Sequence, residues 1–146
     1  MGDTMSERLG APATMNADDT IKKQTKLYGL IAESASTNRL FVMLNKVVRQ
    51  ENGDAMMIPM NIREDDFYFT VSNMKKSHVN GAYIAQEYQE KIVELLDEVD
   101  EFVQVYGKCD FVVREGEKLI GTYVEKNGSV VDEALAQEIF TNYIKD

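Results

Sequence analysis

One histidine, one cysteine and a cluster of three methionines are the side chains of this 146-residue chain that first suggest chemistry. His78 follows Lys75 and Lys76 at the end of a helical stretch, where a cation complements the helix dipole. That role fits better than metal ligation or proton transfer. Cys109 stands two residues before the apolar run Phe111-Val112-Val113 and reads as a small core residue. A lone cysteine closes no internal disulfide. Met56, Met57 and Met60 fall in one apolar segment and read as packing. Neither a glycine-rich dinucleotide fingerprint nor a phosphate loop, a paired-cysteine metal site or a nucleophile elbow occurs. No cofactor and no metal are therefore predicted, and the chain is not expected to act alone as a nicotinamide-dependent oxidoreductase.

The elements that must carry these residues follow from periodicity. Residues 1–25 are small and polar without helical or strand pattern and read as a mobile leader, with Met5 and Met15 as alternative starts. Residues 26–146 read as one domain. Leu27 to Ala32 is a first strand. Leu40, Phe41, Leu44, Val47 and Val48 then mark a helix, capped by Asn38 and stopped at Asn52-Gly53. Ala55 to Met60 reads as a second buried strand, and Asp65 to Lys76 as a helix burying Phe67, Val71 and Met74. After the Asn80-Gly81 turn comes a short strand, Ala82 to Ala85. Glu87 to Val105 is predicted as one amphipathic helix with Ile92, Leu95, Leu96, Val99, Phe102 and Val103 inward and its carboxylates solvated. Phe111 to Val113 and Leu119 to Val124 flank Glu115-Gly116-Glu117 as a hairpin. A last helix runs from Asp132, its cap, to Ile144, burying Leu135, Ile139 and Phe140. Strands alternating with helices predict an α/β fold, a mainly parallel sheet covered by helices with a late antiparallel hairpin.

Composition narrows the function classes. There are 25 Asp and Glu against 16 Lys and Arg, a formal charge of -9, which argues against nucleic-acid and anionic-membrane partners. No apolar run approaches the roughly 20 residues of a bilayer span, and the N-terminus has no secretory pattern. A cytoplasmic location is expected, with the Asn127-Gly128-Ser129 sequon an accident of a turn.

Four blocks from Lys26 onward resemble the substrate-binding domain of shikimate dehydrogenase. Gly29-Leu30-Ile31 leading to Met43-Leu44-Asn45 is similar to that family's opening strand, its S-x-S-P loop and the H-N pair. Val79-Asn80-Gly81-Ala82-Tyr83-Ile84 resembles the G-x-N-V-T-x-P-x-K block, continued by Ile92 to Glu98. Tyr106-Gly107-Lys108-Cys109-Asp110-Phe111-Val112-Val113 is similar to I-G-A-x-N-T-V-V, and Leu119-Ile120-Gly121-Thr122-Tyr123-Val124-Glu125 to L-x-G-x-N-T-D. The fourth, Ala134 to Thr141, resembles the final helix A-x-x-F-E-x-W-T. Lys126 to Val131 joins the last two directly, which implies that the family's NADP-binding domain is replaced here by a short Asn-Gly turn.

The resemblance places the family's catalytic lysine on Gln89 and its partner aspartate on Glu125. An amide does not titrate usefully, so Gln89 cannot exchange a proton with a substrate hydroxyl. Lys91, two residues along a helix, points to another face. The hydroxyls that hold the substrate carboxylate fall on Asn38 and Leu40, the threonine of N-V-T on Ala85, the asparagine of I-G-A-x-N on Asp110, and the late glutamine near Asp132. With Tyr83 and Tyr123 these form the implied ligand site. Gly81, Gly107 and Gly121 serve backbone geometry, and Tyr83 and Tyr123 read equally as core aromatics. Asp110, Glu125 and Asp132 would put three carboxylates around one cleft, repelling anionic shikimate and suiting a cationic or polyhydroxylated ligand.

Three readings follow. The first is a stand-alone, non-catalytic domain that binds a small polar ligand or regulates. The second is the substrate-binding part of a shikimate or quinate oxidoreductase completed by a separate nucleotide-binding chain. The third is a protein-interaction module with a vestigial cleft that works as a homodimer or on a partner chain.

Overall fold

Strand residues of alternating fate sort the protein into three layers. In the computed structural model, which describes residues 25–127 and 133–145, Leu30, Tyr83 and Phe111 point into one core. Their chain neighbours Ile31, Ala82, Ile84 and Val112 point into another. A period of two is what a sheet covered on both faces requires. The strands are β1 (Lys26–Ala32), β2 (Ala55–Asn61), β3 (Gly81–Ile84), β4 (Glu98–Val99), β5 (Phe111–Glu115) and β6 (Lys118–Thr122), ordered β2-β1-β3-β5-β6-β4. β1 pairs in parallel with β2 and β3, and β4 with β6, while β5 runs antiparallel between β3 and β6. The fold is thus α/β with a mixed, mostly parallel sheet and a late hairpin. Its two-residue turn places Gly116 at φ 63°, a conformation that favours glycine.

On the first face lie α1 (Arg39–Gln50) and the C-terminal α4 (Glu133–Ile139), which widens into a π turn over Phe140–Ile144. Asn38 caps α1 as predicted, its Oδ1 accepting the N–H groups of Leu40 at 2.8 Å and Phe41 at 3.4 Å. Leu40, Leu44, Val47 and Val48 meet Leu135, Ile139 and Phe140 beneath them. Asp132, the predicted cap of α4, lies outside the described residues, as does the leader up to Gln24. On the second face α2 (Phe67–Met74) buries Phe67, Val71 and Met74, and Phe67 stacks on Tyr88 with ring centroids 4.4 Å apart. The predicted segment from Asp65 shortens because Glu64–Asp66 forms a separate 3-10 turn. Cys109 is buried in this second core, as its setting suggested.

Two expectations are corrected. β2 is an edge strand, not a buried one: Met57 alone among its residues is buried, Met60 packs at the core margin, and Met56 is exposed. The second correction concerns Glu87 to Val105, which is no continuous helix. It breaks into 3-10 turns at Gln86–Tyr88 and Lys91–Leu95, the short strand β4, and α3 (Glu101–Tyr106).

Two of the carboxylates predicted to be solvated cause the break by bonding to β6. The Asp97 N–H donates to the Leu119 carbonyl at 2.9 Å, and its Oδ2 accepts the Leu119 N–H at 2.8 Å. The Asp100 N–H donates to the Gly121 carbonyl, and its side chain both caps α3 through Phe102 N and Val103 N and accepts the Thr122 hydroxyl. Side chains that bond the backbone locally compete with helix, and here they win because the sheet offers them partners. Of the six inward residues expected, Ile92 and Val103 are fully buried.

Asp100→Ala removes a cap and a cross-link at once, so it is expected to cost about 1–3 kcal/mol in urea unfolding, whereas the exposed Glu101→Ala changes stability by less than about 0.5 kcal/mol. Equal effects would show that the Asp100 bonds carry no stability.

Candidate functional site

Three strand ends meet where β3 finishes, β5 begins and β6 finishes, and the polar groups of the protein's interior gather there. Gln89 and Asp110 are the buried polar residues among those described, 3% and 0% exposed. Asp110 precedes β5 by one residue. Its main chain is already spoken for, with the N–H donating to Thr122 O at 3.1 Å and the carbonyl accepting Ile84 N at 2.7 Å. Its side chain then takes the next turn of chain: Oδ1 accepts Val124 N at 2.7 Å and Oδ2 accepts Glu125 N at 2.9 Å.

That clamp sets the direction of Glu125, in the 3-10 turn Val124–Asn127. Glu125 Oε2 accepts the Tyr83 hydroxyl at 2.7 Å and Gln89 Nε2 at 3.3 Å. Gln89 Nε2 also donates to Ile84 O at 3.0 Å, and the Gln89 carbonyl accepts Cys109 N at 3.0 Å. Both donors to Glu125 are therefore fixed by the fold.

Burial pushes the Asp110 carboxyl up to about 8, and the neighbouring Glu125 adds to the rise through its charge and a side-chain hydrogen bond. The N–H groups of Val124 and Glu125 pull the other way and only moderate it. At neutral pH Asp110 is thus mainly protonated, so it contributes little negative charge to the cleft that was expected to be anionic. Burial, and after it the charge and hydrogen bond of Glu125, drive the Tyr83 phenol far above its usual range, which keeps it a donor. Tyr123 is raised by burial and then by Glu125 and Asp110, and its ring lies 5.3 Å from that of Tyr106.

Of the residues singled out in the sequence, Tyr83, Gln89, Asp110 and Glu125 are joined in one network, with Tyr123 adjoining it along the chain. Ala85 is buried, its N–H given to Ile31 O at 2.9 Å, and offers only a wall. Leu40 is removed from the ligand set: it is fully buried in the α1 core. Asn38 spends its Oδ1 on the helix cap. Lys91, which begins a separate 3-10 turn and not a shared helix with Gln89, is paired with Glu64. Asp132 lies outside the described residues.

Sequence reasoning missed Tyr143. It stacks on Phe111 with centroids 5.1 Å apart and donates to Thr122 Oγ1 at 3.5 Å, which brings the C-terminal turn against the site. The available signal was its spacing of four from Ile139 and three from Phe140 on the buried face, with a hydroxyl that needs a partner. Among the described residues no group of three or more His, Cys, Asp or Glu could hold a metal ion, and no helix is long and apolar enough to cross a membrane. The arrangement can offer an acceptor at Glu125 to a hydrogen-bond donor, and it presents at Gln89 an amide that does not titrate.

No family model matches the chain. It is 29% identical over 108 residues to the shikimate dehydrogenase (NADP(+)) of Dictyoglomus turgidum, covering 74% of this chain and 39% of that protein. The corresponding enzyme of Pyrococcus furiosus is 26% identical over 101 residues, covering 69% and 37%. The chain thus spans about two-fifths of the length of these relatives. In structure it is similar to shikimate dehydrogenase from Aquifex aeolicus (TM-score 0.66, 21% identity, 88% of this chain and 44% of that one). It is also similar to the 5-ketofructose reductase of a Gluconobacter strain (TM-score 0.66, 19% identity, 72% and 38%). The described fold is that of a partial shikimate dehydrogenase-like domain, in agreement with the family resemblance read from the sequence.

The raised Asp110 carboxyl has a consequence for stability. The folded state holds its proton more tightly than the unfolded chain, so its contribution is full below pH 3.8 and is lost as pH rises to about 8. Urea-unfolding free energy is expected to fall across that window by an amount on the order of a few kcal/mol, then to level off. In Asp110→Asn the fall should shrink markedly; an identical pH profile would show that Asp110 does not titrate in this range.

Proposed function

We propose that this shikimate dehydrogenase-like domain is a non-catalytic module that binds a small polar ligand at the polar cluster of Tyr83, Gln89 and Glu125. The observation that carries this reading is the state of Gln89. The family resemblance puts a catalytic lysine at this position, yet the side chain here is a buried amide bonded to Ile84 O and Glu125 Oε2. Proton exchange with a substrate hydroxyl needs a group whose proton comes and goes, and an amide supplies none. Lys91, engaged by Glu64, is no substitute.

The ligand chemistry follows from what remains. The Glu125 acceptor oxygen, already bonded by Tyr83 and Gln89, favours a ligand that donates hydrogen bonds, a neutral polyol or a small amine, over a carboxylic acid. Binding raises thermal stability by mass action. A screen of shikimate, quinate, dehydroshikimate, nicotinamide cofactors, small amines and polyols is expected to give its largest melting shift with an amine or polyol. Glu125→Lys should weaken that ligand by about tenfold or more; unchanged affinity in the variant would sink the cluster as its site.

A second reading keeps the chemistry in a two-chain enzyme. Glu125 favours it, because a carboxylate is retained at the position of the family's aspartate and sits 3.3 Å from the Gln89 amide, where a lysine would pair with it. On this reading shikimate or quinate with NADP⁺ turns over only when a separate nucleotide-binding chain is added, and Gln89→Lys increases the rate. Silence of both proteins with every candidate chain leaves the binding module.

A further inference from the structure

At the other end of β3, away from Gln89 and Glu125, a cavity of about 530 Å³ is lined by Thr25, Lys26, Leu27, His78, Asn80 and Arg114. It lies where β1 and β3 start and β5 ends. Every titratable side chain in this lining is basic, in a chain whose acidic residues outnumber Lys and Arg by 25 to 16. Asp54, which accepts the Thr25 hydroxyl at 2.8 Å, lines the separate cavity of about 280 Å³ and not this one.

The donors around it are held in place by the backbone. Arg114 Nε donates to Val79 O at 2.6 Å and Nη1 to Gly116 O at 2.5 Å. Its Nη2 has no partner among the described residues. Asn80 Oδ1 accepts Leu27 N at 3.0 Å, which leaves Nδ2 likewise uncommitted among the described residues. His78, exposed beside them, adds an imidazole. A guanidinium tied down on two nitrogens and an amide tied down on its oxygen lose little further freedom when they bind, and a charge-assisted bond from Arg to an oxyanion is among the stronger hydrogen bonds.

We propose that this cavity binds a small oxyanion, a phosphate or a carboxylate, through Arg114 Nη2, Asn80 Nδ2 and His78. Its volume falls in the usual range for small-molecule pockets, so the anion can carry a modest organic body. The site is separate from the carboxyl pair, roughly 13 Å away, for the four residues from Asn80 to Ile84, beside Asp110, at about 3.3 Å each.

His78 is the only histidine of the chain, so its imidazole resonances report on this cavity without overlap. The full chain is titrated at fixed pH with inorganic phosphate and, in parallel, with malonate, each against sodium chloride at matched ionic strength. Saturable movement of the His78 resonances with either anion is expected; saturation by phosphate alone assigns a phosphate ligand, and by malonate alone a carboxylate. Movement identical to that in chloride overturns the proposal. Arg114→Gln should weaken the effective anion by about tenfold. Because Arg114 also ties down Val79 and Gly116, a second variant is needed if that one does not fold. His78→Gln leaves those ties in place and should cut the anion-induced rise in melting temperature severalfold; an undiminished rise also overturns the proposal.

Discussion

The Asp110 side chain is the fixed point of the functional end of this protein. Its main chain bonds β3 and the last residue of β6, and its two carboxyl oxygens hold the first two N–H groups of the turn that follows β6. A buried carboxyl costs free energy unless it is hydrogen-bonded, and burying it as the neutral acid lowers that cost. Those same bonds decide where Glu125 points. Once Glu125 is aimed back across the sheet, the Tyr83 hydroxyl and the Gln89 amide have a common acceptor, and the strand ends close into a site.

Much of this was legible in the sequence because it depends on local pattern. Short apolar runs rich in strand formers located β1, β3, β5 and β6, Asn38 announced the start of α1, and the Gly116 turn announced the hairpin. The four family-like blocks brought Tyr83, Gln89, Asp110 and Glu125 together across 43 positions of chain, a juxtaposition that no local spacing contains. The stretch from Glu87 to Val105 was not legible for the opposite reason. Its apolar spacing suits a helix, and what breaks it is tertiary: Asp97 and Asp100 find backbone and hydroxyl partners on β6 that a solvated helix face would never meet. The edge position of β2 was hidden too, since Met56, Met57, Ile58 and Met60 look like a buried run. Leu40 was misplaced because a position inherited from a motif says nothing about which way its side chain turns; here the cap at Asn38 rotates it into the core.

The resemblance and the chemistry therefore separate at one point. The fold is shikimate dehydrogenase-like, and a shared fold leaves function to the particular side chains. Here the donor facing the retained carboxylate is an amide that is already bonded twice within the protein. On the proposed binding reading, a ligand at this cluster must displace or supplement the Tyr83 and Gln89 bonds to Glu125. On that reading a hydroxyl or ammonium offers hydrogen-bond donors to an acceptor that the fold has already oriented, which a carboxylate ligand does not.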